Sequence, residues 1–324
     1  MIEVGGYTTE VELGRGGFGT VYRATDQTHG RNVALKVLDR LDDEGAQRRF
    51  DRERRAMGTL SGHPNIAVVY NSGFTSDQRP FIAMELLTGG SLADLLDRRG
   101  PLTADEAVEI GVQLCDALAH AHTGGVLHLD MKPENVLFSE FGNVKVVDFG
   151  IAALVDDQRT TTILATPAYA DPRVLDGESG TTSSDIYGVA ATLYTLLSGT
   201  TPYASTSGAM ETFNRIANDP VPRVERADLP PALADCLERA MAKDPAHRPA
   251  SMVEFRQQLV DAVRPPAPSA LPTAAPLPTA APVVADPAIP PTVTTKPSNA
   301  TIAGIGLLGL AALLLVGIVA FVVL

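Results

Sequence analysis

The chain has 324 residues, 45% hydrophobic and 20% charged, with a formal net charge of −12, enough for one large core or two modest ones. Such an acidic body, with a sequence pI of ≈ 4.9, lacks the basic face that a nucleic-acid phosphate backbone requires, so no nucleic-acid partner is expected. Cys115 and Cys236 show neither metal spacing nor a disulfide framework and read as reduced core thiols. The first six residues, Met1 to Gly6, lack the regions of a secretory signal, so the folded part is expected to stay in the cytoplasm.

Residues 7–15 and 18–25 alternate as two strands around Gly14-Arg15-Gly16-Gly17-Phe18-Gly19, followed by Thr20, Val21 and Tyr22. Glycines at this spacing let backbone amides approach phosphate oxygens, and a strand on either side makes a hinged flap. A dinucleotide fold would instead open a helix at the third glycine. The next strand, residues 32–38, carries Lys36 among apolar neighbours, a position that calls for a carboxylate partner. Residues 43–60 offer one. Phe50, Glu53, Met57 and Leu60 share one face of a helix, while Arg48, Arg49, Arg52, Arg54 and Arg55 form its solvated side.

Further along, His128-Leu129-Asp130-Met131-Lys132-Pro133-Glu134-Asn135 is followed, thirteen residues after Asn135, by Asp148-Phe149-Gly150. A carboxylate base, an ammonium, an amide oxygen and a second carboxylate are the set needed to hold magnesium phosphates and deprotonate a hydroxyl. The chemistry read from these residues is phosphoryl transfer.

Taken in order, the Gly-rich loop, Val33-Ala34-Leu35-Lys36, Glu53, His63-Pro64-Asn65-Ile66, Met84-Glu85-Leu86, the run from His128 to Asn135, Asp148-Phe149-Gly150 and Asp185 resemble a eukaryotic-type Ser/Thr protein kinase of the bacterial kind, over residues 7–262. Choline and aminoglycoside phosphotransferases share the cleft but usually lack the glycine loop and the Asp-Lys-Pro-Glu-Asn-like run. The resemblance implies an α+β bilobal fold, with a β-rich N-lobe at about 7–86 and a helical C-lobe at about 87–262. ATP, with Mg2+ or Mn2+, would sit between them, and the acceptors would be Ser/Thr hydroxyls of proteins. Lys36, held by Glu53, would grip the α and β phosphates. Asn135 and Asp148 would hold the metal, Asp130 would accept the hydroxyl proton, and Lys132 would steady the transferred group. Glu85 and Leu87 would mark the adenine hinge through backbone groups, lined by Val21, Ala34 and Leu137. His128 would be a packing and hydrogen-bonding support.

Two departures stand out. Leu129 replaces the usual arginine that reads an activation-segment phosphate, so Thr160, Thr161 and Thr162 are expected to accept phosphate with weak effect on catalysis, while Thr166 supports the substrate pocket. Asp171-Pro172-Arg173 replaces Ala-Pro-Glu, so Arg173 would confront Arg248 with like charge unless Asp171 or Glu178 compensates. Ala190 stands for a usual glycine. An active kinase is the main reading, and a nucleotide-binding pseudokinase scaffold at the membrane is the alternative.

After the kinase-like region, residues 265–300 hold eleven prolines, a Pro/Ala/Thr-rich linker that cannot form a core. Residues 302–324 carry no charge and include fifteen Leu, Ile, Val or Phe side chains, the pattern of a transmembrane helix. At about −0.3 to −0.6 kcal/mol each, insertion is favoured by an upper limit of roughly 5–9 kcal/mol. The expectation is a single-pass anchor in the cell membrane with the kinase region cytoplasmic and no external sensor. The segment has no Gly-x-x-x-Gly spacing, so that motif predicts no dimerisation through it; a dimer for autophosphorylation stays an open partner.

Overall fold

The computed structural model describes residues 4–16, 19–39, 50, 58, 60, 62–149, 167–205 and 208–264. Contacts divide the chain into Met1–Ala267 and Pro268–Leu324. The linker and the apolar tail lie outside the described residues, and among the described residues no helix is long and apolar enough to cross a membrane.

Five strands form an antiparallel sheet: β1 (Tyr7–Gly16), β2 (Gly19–Asp26), β3 (Arg31–Leu38), β4 (Val69–Phe74) and β5 (Pro80–Glu85), in the order β1-β2-β3-β5-β4. The two-residue period of β3 sorts its side chains cleanly. Val33, Leu35 and Val37 pack with Phe81, Ala83, Tyr7 and Tyr22 on one face. Ala34 and Leu38 pack with Phe50, Ile82 and Met84 on the other. Lys36 shares the second parity and is opposed by Val21 and Ile82 in the ladder, which turns it toward the cleft. Gly19 closes the β1–β2 turn at φ +140°, and a Cβ there would stand 2.2 Å from the Val37 carbonyl oxygen, so only glycine fits this close crossing.

The second lobe is helical: α1 (Leu92–Arg99), α2 (Ala104–Thr123), a short α3 (Pro172–Leu175), α4 (Thr182–Ser198), α5 (Ala209–Asn218), α6 (Pro231–Ala240) and α7 (Met252–Val263). Helix α4 is buried on all sides from Ser184 to Leu197, the signature of a core helix. Gly111 of α2 meets it so closely that a Cβ would lie 2.9 Å from Leu193 and 3.0 Å from Leu259 of α7. Thr103 and Glu106 form a capping box at the start of α2. Bonds from the Thr103 amide and Arg99 hold the Glu106 carboxyl down at about 2. A two-stranded hairpin, β6 (Val136–Phe138) with β7 (Val144–Val146), leads from the 128–135 run to Asp148.

Candidate active site

The β6–β7 hairpin explains the thirteen-residue spacing. Its two strands fold back on each other, and the Val147 amide donates to the Asn135 carbonyl at 3.0 Å, so Asn135 and Asp148 emerge side by side. From the N-lobe, Lys36 Nζ reaches Asp148 Oδ2 at 2.7 Å, although 112 positions separate the two residues. Both are shielded, with side chains 7% and 22% exposed. Glu53, the expected partner of Lys36, lies outside the described residues, as do Gly17, Phe18, Gly150, Thr160, Thr161, Thr162 and Thr166.

Below this pair, Lys132 Nζ donates to both oxygens of Asp130, at 3.0 and 2.8 Å. Asn135 Nδ2 donates to the Asp130 carbonyl at 2.6 Å and to its Oδ2 at 2.9 Å. With both amide protons turned to Asp130, the Asn135 side-chain oxygen is the atom left to meet a cation. With the Asp148 carboxylate it makes a hard, all-oxygen donor set, which fits Mg2+ or Mn2+ completed by phosphate and water.

The 128–130 run is held from behind. His128 donates from Nε2 to the Val147 carbonyl at 2.9 Å and accepts the Asp130 amide on Nδ1 at 3.2 Å, a pair of bonds that settles its tautomer. Its ring meets Phe149 edge-on at 4.9 Å. The buried Asp185 carboxylate of α4 accepts the amides of His128 (3.0 Å) and Leu129 (2.7 Å) and pairs with His122 Nε2 of α2 at 2.8 Å. These bonds hold Leu129 at φ 61°, a left-handed conformation costly for a branched side chain. The Leu129 side chain lies against Gly180, where an added Cβ would come within 2.4 Å of it.

The cleft itself, ≈ 910 Å³ including its open mouth, is lined by Leu13, Gly14, Val21, Ala34, Met84–Leu87, Glu134, Asn135, Leu137, Val147 and Asp148. That volume suits a nucleotide-sized ligand. Val21 and Ala34 line it from the sheet, Leu137 and Val147 from the β6–β7 hairpin and the residue after it, and residues 84–87 from the end of β5 and the segment that follows. Gly16 pairs with Gly19 across the β1–β2 turn. The exposed Arg15 side chain turns to Glu12 at 3.6 Å, so of the expected loop residues it brings no side chain to the cleft. Leu13, Val147 and His122 were not among the expected residues. Strand alternation through Leu13 and the position of Val147 beside Asp148 were the available signals for two of them; nothing in the sequence paired His122 with Asp185.

The like-charge encounter expected of Arg173 and Arg248 does not form; both named compensations occur instead. Arg248 forks onto Asp171 through two bonds of 2.8 Å, with side chains 0% and 2% exposed. Arg173 points outward to Glu178 at 2.6 Å. Asp171 is the N-cap of α3, so its carboxylate faces inward while residue 173, two positions on, faces solvent. Burial alone would raise the Asp171 carboxyl, but Arg248 and Ser184 outweigh it and hold it below the ordinary carboxylate value.

The protein kinase domain family profile matches residues 7–260. Serine/threonine-protein kinase PknK of Mycobacterium bovis is 43% identical over 263 residues, 80% of this chain and 24% of the relative. Kinase pkn3 of Myxococcus xanthus is 37% identical over 78% of this chain and 49% of its own length. PknB of Mycolicibacterium smegmatis is 35% identical over 80% of this chain and 43% of its own length. The chain thus spans between a quarter and a half of these relatives. The crystal structure of a point mutant of the Mycobacterium tuberculosis PknI kinase domain superposes with a TM-score of 0.65 at 28% identity, covering 80% of this chain and 96% of that one.

Proposed function

We propose that this chain, which belongs to the protein kinase family and is similar to the bacterial serine/threonine-protein kinases, transfers the γ-phosphoryl group of ATP to Ser/Thr hydroxyls of proteins. One observation carries the reading. Lys36 of the N-lobe meets Asp148 at 2.7 Å, Lys132 and Asn135 both bond Asp130 at 2.6–3.0 Å, and Asn135 and Asp148 line the same cleft.

Each side chain has a task in that reaction. A divalent cation bound by Asn135 and Asp148 would neutralise phosphate charge. Lys36 sits where it can bind the phosphates from the N-lobe side, already ion-paired to Asp148. Asp130 is oriented by Asn135 and Lys132 to accept the proton of an incoming hydroxyl. Lys132 stands beside that proton acceptor and stabilises charge on the group in transit. Val21, Ala34, Leu137 and Val147 exclude water around the adenine, against the main chain at Glu85–Leu87.

Of the two departures that favoured a scaffold, Arg173 no longer does, since Asp171 completes the buried pair. We place the kinase at the cell membrane, with the 302–324 segment as a single-pass anchor, the 265–300 segment as linker and the catalytic lobes in the cytoplasm. The support is the uncharged 23-residue run and its proline-rich spacer. A dimer would serve autophosphorylation.

The test is purified protein with labelled ATP and Mg2+ or Mn2+, beside Asp130→Asn. Incorporation in the parent and its loss in the variant is expected; no incorporation with either metal overturns the catalytic reading. Deleting residues 301–324 is expected to move the protein to the soluble fraction, and continued sedimentation with membranes counts against the anchor.

A further inference from the structure

Lys145 has no part in the site described so far. It lies on β7, three positions before Asp148, and its ammonium stands 2.9 Å from Glu85 Oε2 at the end of β5. It also donates to the Ile66 carbonyl at 3.4 Å. Both partners are shielded, with side chains 14% and 23% exposed, so the attraction is less screened than in a surface pair.

Glu85 is held twice more. Its carboxylate accepts the Val68 amide at 3.2 Å, and its own amide donates to the Val68 carbonyl at 2.9 Å. The 65–67 segment is itself tied to the hairpin. Val146 donates to the Asn65 carbonyl at 2.9 Å, Ala67 donates to the Val146 carbonyl at 3.0 Å, and Asn65 Nδ2 donates to the Val144 carbonyl at 2.9 Å. Lys145 is therefore where charge from the hairpin meets a cleft-lining residue whose amide and carboxylate are both already engaged. Lys145 thereby anchors the Glu85 side chain at the end of β5, next to the 85–87 segment that lines the cleft.

We propose that Lys145 is a positioning residue for recognition of the purine base: it acts through Glu85 to aim the hinge main chain at the base edge, and it leaves the phosphate and metal end of the cleft alone. This rests on the reading of the cleft as an ATP site. Phosphate binding depends on Lys36, Asn135 and Asp148, none of which touches Lys145, so loss of the clamp should separate base affinity from phosphate affinity.

The experiment compares the full chain with Lys145→Met, Lys145→Gln and Lys145→Arg. Calorimetry measures binding of Mg-ATP and, as a base-free probe, Mg-tripolyphosphate, alongside kcat and KM for ATP. Loss of the ammonium is expected to weaken Mg-ATP by about tenfold, raise KM in step, keep kcat within about twofold and leave tripolyphosphate unchanged. Lys145→Arg is expected to restore ATP affinity. Equal loss for both ligands, ATP affinity within about twofold of the parent, or failure of both neutral variants to fold would overturn the assignment, because each marks a general structural role or none. A parent that binds tripolyphosphate but not ATP overturns the ATP reading itself, a result distinct from unchanged variants on a binding parent.

Discussion

Replacing Asp171 with alanine tests how the departure from Ala-Pro-Glu is accommodated. The substitution strands the Arg248 guanidinium, fully buried and doubly bonded at 2.8 Å to the lost carboxylate. Removing one partner of a buried pair costs about 3–5 kcal/mol. Loss of the N-cap bond to the Arg173 amide adds about 1 kcal/mol. At about 2–4 °C per kcal/mol for a domain of this size, the melting point should fall by roughly 8–24 °C. Arg173→Ala removes only an exposed pair with Glu178, with side chains 48% and 51% exposed, and should shift it by less than about 3 °C. Thermal melts followed by circular dichroism read both. Because the Asp171 carboxyl is held below its ordinary value by Arg248 and Ser184 against burial, its contribution is present above the unfolded carboxylate range. It is lost as pH falls through the folded value. The parent's advantage over Asp171→Ala should therefore shrink on acidification. Equal melting points for the two alanine variants at neutral pH would refute the reasoning, since they would mean that Arg248 does not depend on Asp171.

Three other outcomes are expected. A Thr160/Thr161/Thr162 triple alanine variant should keep kcat within about tenfold, or about 1.4 kcal/mol; Leu129, folded against Gly180, offers no guanidinium to a phosphate, and a larger loss in steady-state assays contradicts this. His63 is harder to protonate in the fold because of burial and then the stacked His120 ring at 5.2 Å, despite the opposing pull of Asp116. As pH drops below about 6.5 the unfolded chain takes up a proton that the fold resists, so stability falls; His63→Asn should lessen the drop between pH 7.5 and 5.5, and parallel melting curves argue against it. Gly19→Ala should lower both the melting point and ATP affinity, because the added Cβ meets the Val37 carbonyl; unchanged calorimetric ATP binding would count against the tight β1–β2 crossing.

Much of the architecture was legible because local chemistry and global fold agree. The strands expected at 7–15, 18–25 and 32–38 appear at Tyr7–Gly16, Gly19–Asp26 and Arg31–Leu38. Lys36 was readable as an exception to an apolar strand, and the packing of the two faces of β3 decided which one it takes. The 128–135 run carried its chemistry in residue identity alone. The sequence named Asp171 and Glu178 as compensating groups without assigning either to Arg248: residues 171 and 173 both carry charge, and only the N-cap turn of α3 decides that the first faces inward and the second outward.

The sequence alone pointed to the proposed reaction class and to the residues proposed as base, metal donors and phosphate-binding lysine, because those functions demand particular functional groups and few other residues supply them. Tertiary structure alone decided what holds those groups in place: Asp185 gathering His122 and the amides of His128 and Leu129, Lys145 reaching Glu85, and Asp171 meeting Arg248. These contacts join residues 56 to 77 positions apart or lie across the two lobes, where no local periodicity or motif spacing carries information. Only tertiary packing brings them within bonding distance: α2 and α4 against the 128–130 run, the β6–β7 hairpin against β5, and the start of α3 against the segment before α7.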